Sequence, residues 1–458
     1  MTSISLRAGG RRIAGTILCA VLAAWPLPAA ESPTPHAFLQ ELCDDFGGRL
    51  TGSPGNVGAM KRLDEALRDL GVTTQRQTFS MPGWERGEDR VDLLAPLARR
   101  LRVAALSYTS PHPAFEADVV NIGQGAATDY PAADVSGKVG LLAAGTPLQA
   151  RELARIAEAR GLRGVLFINR EGGGQLLART GSFTGEPLPL PVYSLAQEEG
   201  HWLQRLLARG QAVRVRMETK SRGRPVETAN LVATIPGHES GRVIVGAHFD
   251  SWDLGQGAMD NGIGIAQLYA LARALRGTKP QCTIELIWFN GEEQGLWGSR
   301  HAASLIDQEA VVAMVNLDMV GVPVGVNALG DDSIVPALER WHATRGEGQR
   351  LPKGVENINW VGSDHTPYQL RGIRAVTFNG PIPRESVRYY HDFADTIDKV
   401  TPKLIDDSTA VILDVVLALA NDPELGAWRR TKEDTEKLFT RFGLEKRMRA
   451  TGLWPFDP

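Results

Sequence analysis

The chain is predicted to fold as an α/β protein, a mixed sheet sandwiched by helices, and three observations in its second half carry that prediction. Short, predominantly apolar runs alternate with amphipathic helical segments. The runs have the length of strands buried on both faces. Each run ends in an acid or a histidine, the composition expected where ligands meet the carboxyl edge of an open sheet.

Val243-Ile244-Val245 is the first such strand, and Ile263 to Leu275 a helix after it. Thr283 to Phe289 forms a second strand and Val311 to Leu317 a third. Strands this rich in apolar residues need helices on both faces of the sheet. Further upstream, Val57, Met60, Leu63, Leu67 and Leu70 recur at helical spacing and stop at Gly71, so Asn56 to Leu70 is an amphipathic helix. Between about Asp118 and Arg222 the pattern changes to short runs such as Val139-Gly140-Leu141-Leu142 and Gly164-Val165-Leu166-Phe167-Ile168, separated by Gly and Pro clusters. One helix interrupts them, with Leu153, Ile156 and Ala157 on one face. Residues 118–222 are therefore expected to be a smaller inserted module without a catalytic constellation. Residues 31–117 and 223–425 would form the catalytic domain, and 426–458 a charged C-terminal tail whose stretch from Arg429 to Arg449 reads as a solvated helix.

At the N-terminus, Arg7, Arg11 and Arg12 precede an apolar run from Ile13 to Leu27 and the small residues around Ala29-Ala30. That is the layout of a secretory signal over residues 1–30, and the run is short for a membrane span. The mature protein is thus expected in the periplasm or outside the cell, with no stable membrane association after cleavage. Removing those residues takes the formal charge from −3 to −6, and no basic stripe is present, which argues against nucleic acid as a partner. Of three cysteines, Cys19 falls in the signal, so Cys43 and Cys282 allow at most one internal disulfide.

The chemistry-bearing residues gather where the strands end. His248 closes the first strand, Glu292 and Glu293 follow the second, and Asp318 closes the third. Asp260 sits at the start of the helix after the first strand, among glycines that permit close backbone approach. His391 lies in the polar, aromatic stretch Tyr389-Tyr390-His391-Asp392-Phe393. A carboxylate to bridge, with one imidazole and one carboxylate for each of two cations, is the inventory of a two-metal site whose ions lie about 3.5–4 Å apart. These residues supply it and leave one glutamate spare.

Together the motifs resemble the cocatalytic zinc exopeptidases of the bacterial leucyl aminopeptidase and glutamate carboxypeptidase type, with carboxypeptidase Q the member nearest in appearance. The resemblance is carried by Gly48-Arg49-Leu50-Thr51-Gly52-Ser53, Trp84-Glu85-Arg86-Gly87-Glu88, the block from His248 to Gly264, Glu292-Glu293-Gln294-Gly295, Asp318, and His391 with Asp395-Thr396. It implies a phosphorylase/hydrolase-like fold with an inserted protease-associated domain and two Zn2+ ions. His248 and Asp318 would hold one ion, Glu293 and His391 the other, and Asp260 both, with Glu292 as general base. Asp250 would accept from the His248 imidazole, and Tyr390 would donate to the oxyanion. The substrate would be a short peptide or dipeptide, and a homodimer is possible on the same likeness.

Two departures leave the direction of cleavage open. Ser363-Asp364-His365-Thr366-Pro367-Tyr368 looks like the simple aminopeptidases, and Arg374 stands where proline is common. An aminopeptidase pairs the substrate ammonium with an acid, whereas a carboxypeptidase or dipeptidase pairs a carboxylate with Arg, Lys or helix N–H groups. The competing readings of the whole chain are an inactive receptor or binding protein on the same fold and a single-zinc acyltransferase resembling glutaminyl cyclase.

Overall fold

The computed structural model describes Thr2 and residues 32–306 and 310–457, so the expected signal segment lies, apart from Thr2, outside the described residues. Among the described residues, sixteen strands fall into two mixed eight-stranded sheets. In chain order they are β1 (Thr74–Glu85), β2 (Asp89–Ala95), β3 (Arg99–Leu101), β4 (Val103–Ala105), β5 (His112–Asn121), β6 (Val139–Leu142), β7 (Gly164–Ile168) and β8 (Val192–Leu195). There follow β9 (Arg214–Thr219), β10 (Arg222–Ile235), β11 (Glu239–His248), β12 (Cys282–Phe289), β13 (Val311–Asn316), β14 (Gly325–Asn327), β15 (Val355–Glu356) and β16 (Ala375–Asn379).

The first sheet has the order β1-β10-β12-β11-β13-β16-β14-β15. Its centre, β12-β11-β13-β16, is parallel, with β1 and β10 antiparallel along one side and β14 antiparallel to β16 on the other. The central strands are buried along most of their length because alternate side chains enter two separate cores. Val243, Val245, Ile284, Leu286 and Trp288 pack with helices Pro35–Phe46, Ile263–Leu275 and Pro402–Asn421. Ile244, Ile287 and Phe289 pack with Trp297–Leu305 and His365–Leu370 on the opposite face. The period-two alternation is thus present but carries apolar residues on both phases, which is why these strands read as continuous runs. The helices start where their sequences dictate. Thr34, Ser53 and Thr401 each accept a backbone N–H from the first turn, and a proline occupies the first helical turn each time.

The second sheet has the order β3-β2-β9-β5-β6-β7-β8-β4, with β5 to β8 parallel and the remaining pairs antiparallel. The chain leaves the first sheet at Glu85 and re-enters at Arg222, and these two residues are register partners in the β1–β10 ladder. The excursion into the second sheet therefore runs from just after Glu85 to Arg222, a longer span than the module expected over residues 118–222. The early boundary escapes local reading because β2 and the first half of β5 are claimed for this sheet by antiparallel pairing with β9, about a hundred residues later.

The C-terminal segment also departs from expectation. Helices Lys432–Arg441 and Glu445–Thr451 bury Leu438, Phe439 and Met448, and Phe439, Met448, Leu453 and Phe456 form a core with Leu296 and Val361. It is an anchored part of the fold. Its charged residues outnumber and mask the few apolar ones that bind it down. Cys43 and Cys282 are both buried and free, and burial pushes the Cys43 thiol up to about 12. Among the described residues, no helix is long and apolar enough to cross a membrane.

Candidate metal centre

The carboxyl ends of β11, β12 and β13 meet at one point, and the loops that follow each strand are held there by buried polar groups. After His248 the chain runs through residues 249–257, which curl around the guanidinium of Arg49. That side chain, fully buried, donates from Nε to the Phe249 carbonyl (3.1 Å), from Nη1 to Gln256 (2.7 Å) and from Nη2 to Gly257 (2.9 Å). Gly48 presses so closely on this loop that a Cβ there would lie 2.9 Å from the Asp253 Cα, and Gly257 turns it with φ 61°. These positions explain the Gly48-Arg49 motif in physical terms: glycine for approach, arginine for three carbonyls that no strand satisfies.

Asp260 follows in a π-type turn, Ala258–Gly262, at φ −116° and ψ 95°, with a cis Asp260–Asn261 peptide. The Asp395 carboxylate accepts the backbone N–H of Met259 (2.7 Å) and of Asp260 (3.1 Å). Asn261 donates to the Leu317 carbonyl (2.8 Å) and accepts from Met319 N–H (3.1 Å), tying the Asp260 turn to the Asp318 loop.

Asp250 does something other than expected. The His248 Nδ1 bonds to the backbone carbonyl of Asp250 (2.9 Å), while the carboxylate stands 4.0 Å from Nδ1. It accepts instead the backbone N–H groups of Glu292 (3.1 Å) and Glu293 (3.3 Å). Its function in the fold is to fix the turn that carries the glutamates.

Five side chains then converge as two triads sharing one member: His248, Asp260 and Asp318, and Asp260, Glu293 and His391. His248 Nε2 lies 3.2 Å from Asp260 Oδ1 and 3.4 Å from Asp318 Oδ1. His391 Nε2 lies 2.9 Å from Asp260 Oδ2 and 3.1 Å from Glu293 Oε2. Each imidazole donates its Nδ1 proton to a backbone carbonyl, of Asp250 and of Ala178 (2.9 Å) respectively. In a neutral ring Nε2 therefore presents a lone pair to two carboxylates, an arrangement that calls for a cation at each triad. Glu293 Oε1 is buried without a hydrogen-bond partner among the described residues, a further free ligand atom. The donor set of nitrogen and carboxylate oxygen suits zinc.

Electrostatics agree with that geometry. Burial works against charge on His391, but Glu293 and Asp260 outweigh it and bring its pKa to about 10. Burial likewise opposes charge on His248, and Asp260 and Asp318 still raise it well above 6.5. Burial alone would raise Asp260, yet the two histidines hold it below the carboxylate range. Burial, then Asp260, lifts Glu293 to about 7. Glu292, in neither triad, is held well above the usual carboxylate range by burial, with Asp364, Glu293 and Asp318 adding to it. Ser363 Oγ donates to Asp318 Oδ2 at 2.6 Å. His365 bonds to the Trp360 carbonyl (2.9 Å), joins neither triad, and is pushed by burial down to about 4. Tyr390 stacks on His391 with ring centroids 3.6 Å apart and is 39% exposed.

Sequence reading passed over the part that the second sheet plays. Ala178 N–H donates to the His391 carbonyl (2.9 Å) while accepting from its ring. Leu176 N–H donates to Asp392 Oδ2 (2.6 Å), Gln175 to the Arg388 carbonyl (2.8 Å) and Thr180 Oγ1 to the Glu293 carbonyl (2.5 Å). The segment 175–180 is thus laced to the His391 loop and to Glu293 at positions with no local periodicity to announce them. Arg49 and Asp395 belonged to recognisable motifs, but only their buried contacts disclose what they do.

Residues 230–416 match the model of peptidase family M28. The chain is 25% identical over 405 residues to Aminopeptidase YwaD of Bacillus subtilis, covering 83% of this chain and 84% of that one. It is 29% identical over 291 residues to Leucine aminopeptidase 2 of Trichophyton equinum, covering 62% of this chain and 57% of that protein, little more than half its length. With Carboxypeptidase Q of Mus musculus it shares 24% identity over 416 residues, 84% of this chain and 85% of the other. A solved structure, a zinc aminopeptidase from Bacillus subtilis, has the same fold with a TM-score of 0.70 at 23% identity, covering 87% of this chain and 98% of that one. Residues 230–416, the span that matches the peptidase family M28 model, supply all five members of the two triads and the spare glutamate.

Proposed function

We propose that the protein is an exported zinc-dependent exopeptidase that hydrolyses short peptides or dipeptides, with two Zn2+ held in the two triads. The observation that carries this reading is the pair of His/carboxylate triads joined through Asp260, with an uncommitted glutamate beside them. Relatives named as aminopeptidases and as carboxypeptidase Q support the same chemistry. His248 and Asp318 would hold one ion, Glu293 and His391 the other, and Asp260 would bridge them. When bound, zinc would supply Lewis-acid polarisation of the scissile carbonyl and lower the pKa of water at the site.

The remaining work falls to the chain. Glu292, whose turn is fixed by Asp250, takes the proton of the attacking water and passes it to the leaving amine. A carboxylate whose pKa lies well above the ordinary range is suited to both halves of that exchange. Asp250 and Asp395 hold the Glu292–Glu293 and Asp260 backbones, so that ligands and base keep their spacing. Tyr390, flat against His391, is the hydroxyl donor we assign to the tetrahedral oxyanion. We read the second sheet as the inserted protease-associated module.

The test is Glu292→Gln. It should keep two zinc ions per chain by elemental analysis and lose about 10²–10⁴-fold in kcat on dipeptides. Near-normal turnover would remove Glu292 as base, and a zinc-replete wild-type protein inert toward every peptide would remove the peptidase reading.

A further inference from the structure

Beside the triads, the second sheet and the His391 loop enclose a cavity of about 480 Å³, within the range of small-ligand sites. Tyr390 and His391 line it, so it adjoins the His391 side of the candidate zinc centre. Four arginines also line it: Arg170 and Arg179 from the second sheet's loops, and Arg384 and Arg388 from the chain leading to His391. The one acid in the wall, Glu171, is spoken for, at 3.6 Å from Arg170 Nε.

Among the described residues, only Arg170 of these four cations is paired with an anion. Among the described residues the guanidiniums of Arg179 and Arg384 make no hydrogen bond or ion pair; Arg179 rests over the Phe167 ring at 4.5 Å, and both residues are exposed. Arg388 spends one nitrogen on the Gly172 carbonyl (2.9 Å) and leaves Nε buried without a partner. Arg179 is also placed by construction, since it follows Ala178, the residue that bonds to both the ring and the carbonyl of His391. A guanidinium fork held beside a reaction centre and lacking its own carboxylate is a receptor for one. An ammonium brought there would meet net positive charge.

We infer that this cavity binds a carboxylate of the peptide substrate close to the scissile bond, with Arg179 and Arg384 as its principal contacts. The inference rests on the peptidase reading for the word substrate, but not for the carboxylate site itself. It makes dipeptides and peptides with an acidic residue next to the scissile bond the preferred class. The carboxylate comes either from the C-terminus or from a side chain.

Two experiments separate these outcomes. Metal-free protein, in which zinc cannot capture the anion, is titrated calorimetrically with N-acetylglutamate and with its neutral counterpart, N-acetylglutamine amide. The acid should bind at least about tenfold more tightly. Arg179→Gln with Arg384→Gln should erase the difference and the paired lysine substitutions should restore part of it, with thermal melting to check folding. The exposed Arg384→Gln alone gives a milder variant. Equal binding of both probes, or a preference that survives the double substitution, overturns the inference. In the second experiment zinc-loaded protein is given a dipeptide, its C-terminal amide, and an amidated peptide with glutamate after the scissile bond. Selective loss on amidation assigns the α-carboxylate, and retention with glutamate assigns the side chain. Equal cleavage of the dipeptide and of amidated peptides without an acid sinks the inference while the peptidase reading stands. Acid-selective binding without any hydrolysis sinks the peptidase reading and keeps the site.

Discussion

The two triads are built in different ways. His248 and Asp318 sit at the ends of adjacent parallel strands, β11 and β13, whose positions are set by apolar side chains buried on both faces. His391 sits in a loop at φ 59°, held by Ala178, Leu176 and Gln175 from the segment between β7 and β8 of the other sheet. One half of the site therefore draws its rigidity from the main core, and the other from a seam of hydrogen bonds between two sheets. Packing tolerates small polar losses nearby, whereas a seam of few bonds does not.

The largest expected effect falls on the residue common to both halves. Asp260→Ala should cost at least about 10³-fold in activity and lower the zinc content of both positions, since the removed carboxylate faces both imidazoles. Retention of two zinc ions, read by elemental analysis, would exclude Asp260 as the bridge. Next comes the seam. Asp392→Ala strips the acceptor from the buried N–H of Leu176 and from Ala394, and should weaken one of the two zinc ions by about 10–100-fold. Stepwise zinc titration would resolve it, and equal weakening of both ions would mean the halves are not independent.

That contrast also explains what the sequence discloses. The helix Ile263–Leu275 coincides with its expected span, and β11, β12 and β13 lie where apolar runs place them, because local hydrophobicity and tertiary burial agree there. His248, Glu292, Glu293 and Asp318 could be picked out as strand-end residues for the same reason. His391 could not be selected from nine histidines by periodicity, since its loop owes its form to residues 175–178 more than two hundred positions away. The Arg49 clamp, the Asp250 contacts and the start of the second sheet near residue 86 share that dependence on distant partners. The C-terminal helices escaped notice because four buried apolar residues, Phe439, Met448, Leu453 and Phe456, decide the packing of a strongly charged stretch.

Proton linkage sharpens the comparison at the His391 half. In the metal-free site its pKa is about 10, and Glu293 stands at about 7. At pH 7 the imidazole is protonated and Glu293 about half so, while zinc needs the neutral ring and the ionised carboxylate. Each zinc must displace at least one proton, so affinity should rise about tenfold per pH unit between pH 6.5 and 8 and level off above about 10. Calorimetry in buffers of different ionisation enthalpy counts the protons released. Affinity independent of pH across that window would show that the imidazoles are not ligands.

The smallest effect belongs to the strand-end half. Ser363→Ala removes the 2.6 Å hydrogen bond to Asp318 Oδ2 and the acceptor for Asn316 Nδ2 at 2.9 Å. Asp318 nevertheless lies only two residues beyond β13, and the intervening Leu317 N–H still bonds to the Gly246 carbonyl of β11. Its backbone stays fixed when the hydroxyl is gone. The carboxylate then gains rotational freedom only, so the loss of zinc affinity should be under about tenfold and less than that of Asp392→Ala. The ratio of the two variants is the decisive reading. If Ser363→Ala proves the more damaging, the strand ends are not the rigid half, and the division between packed and laced construction fails.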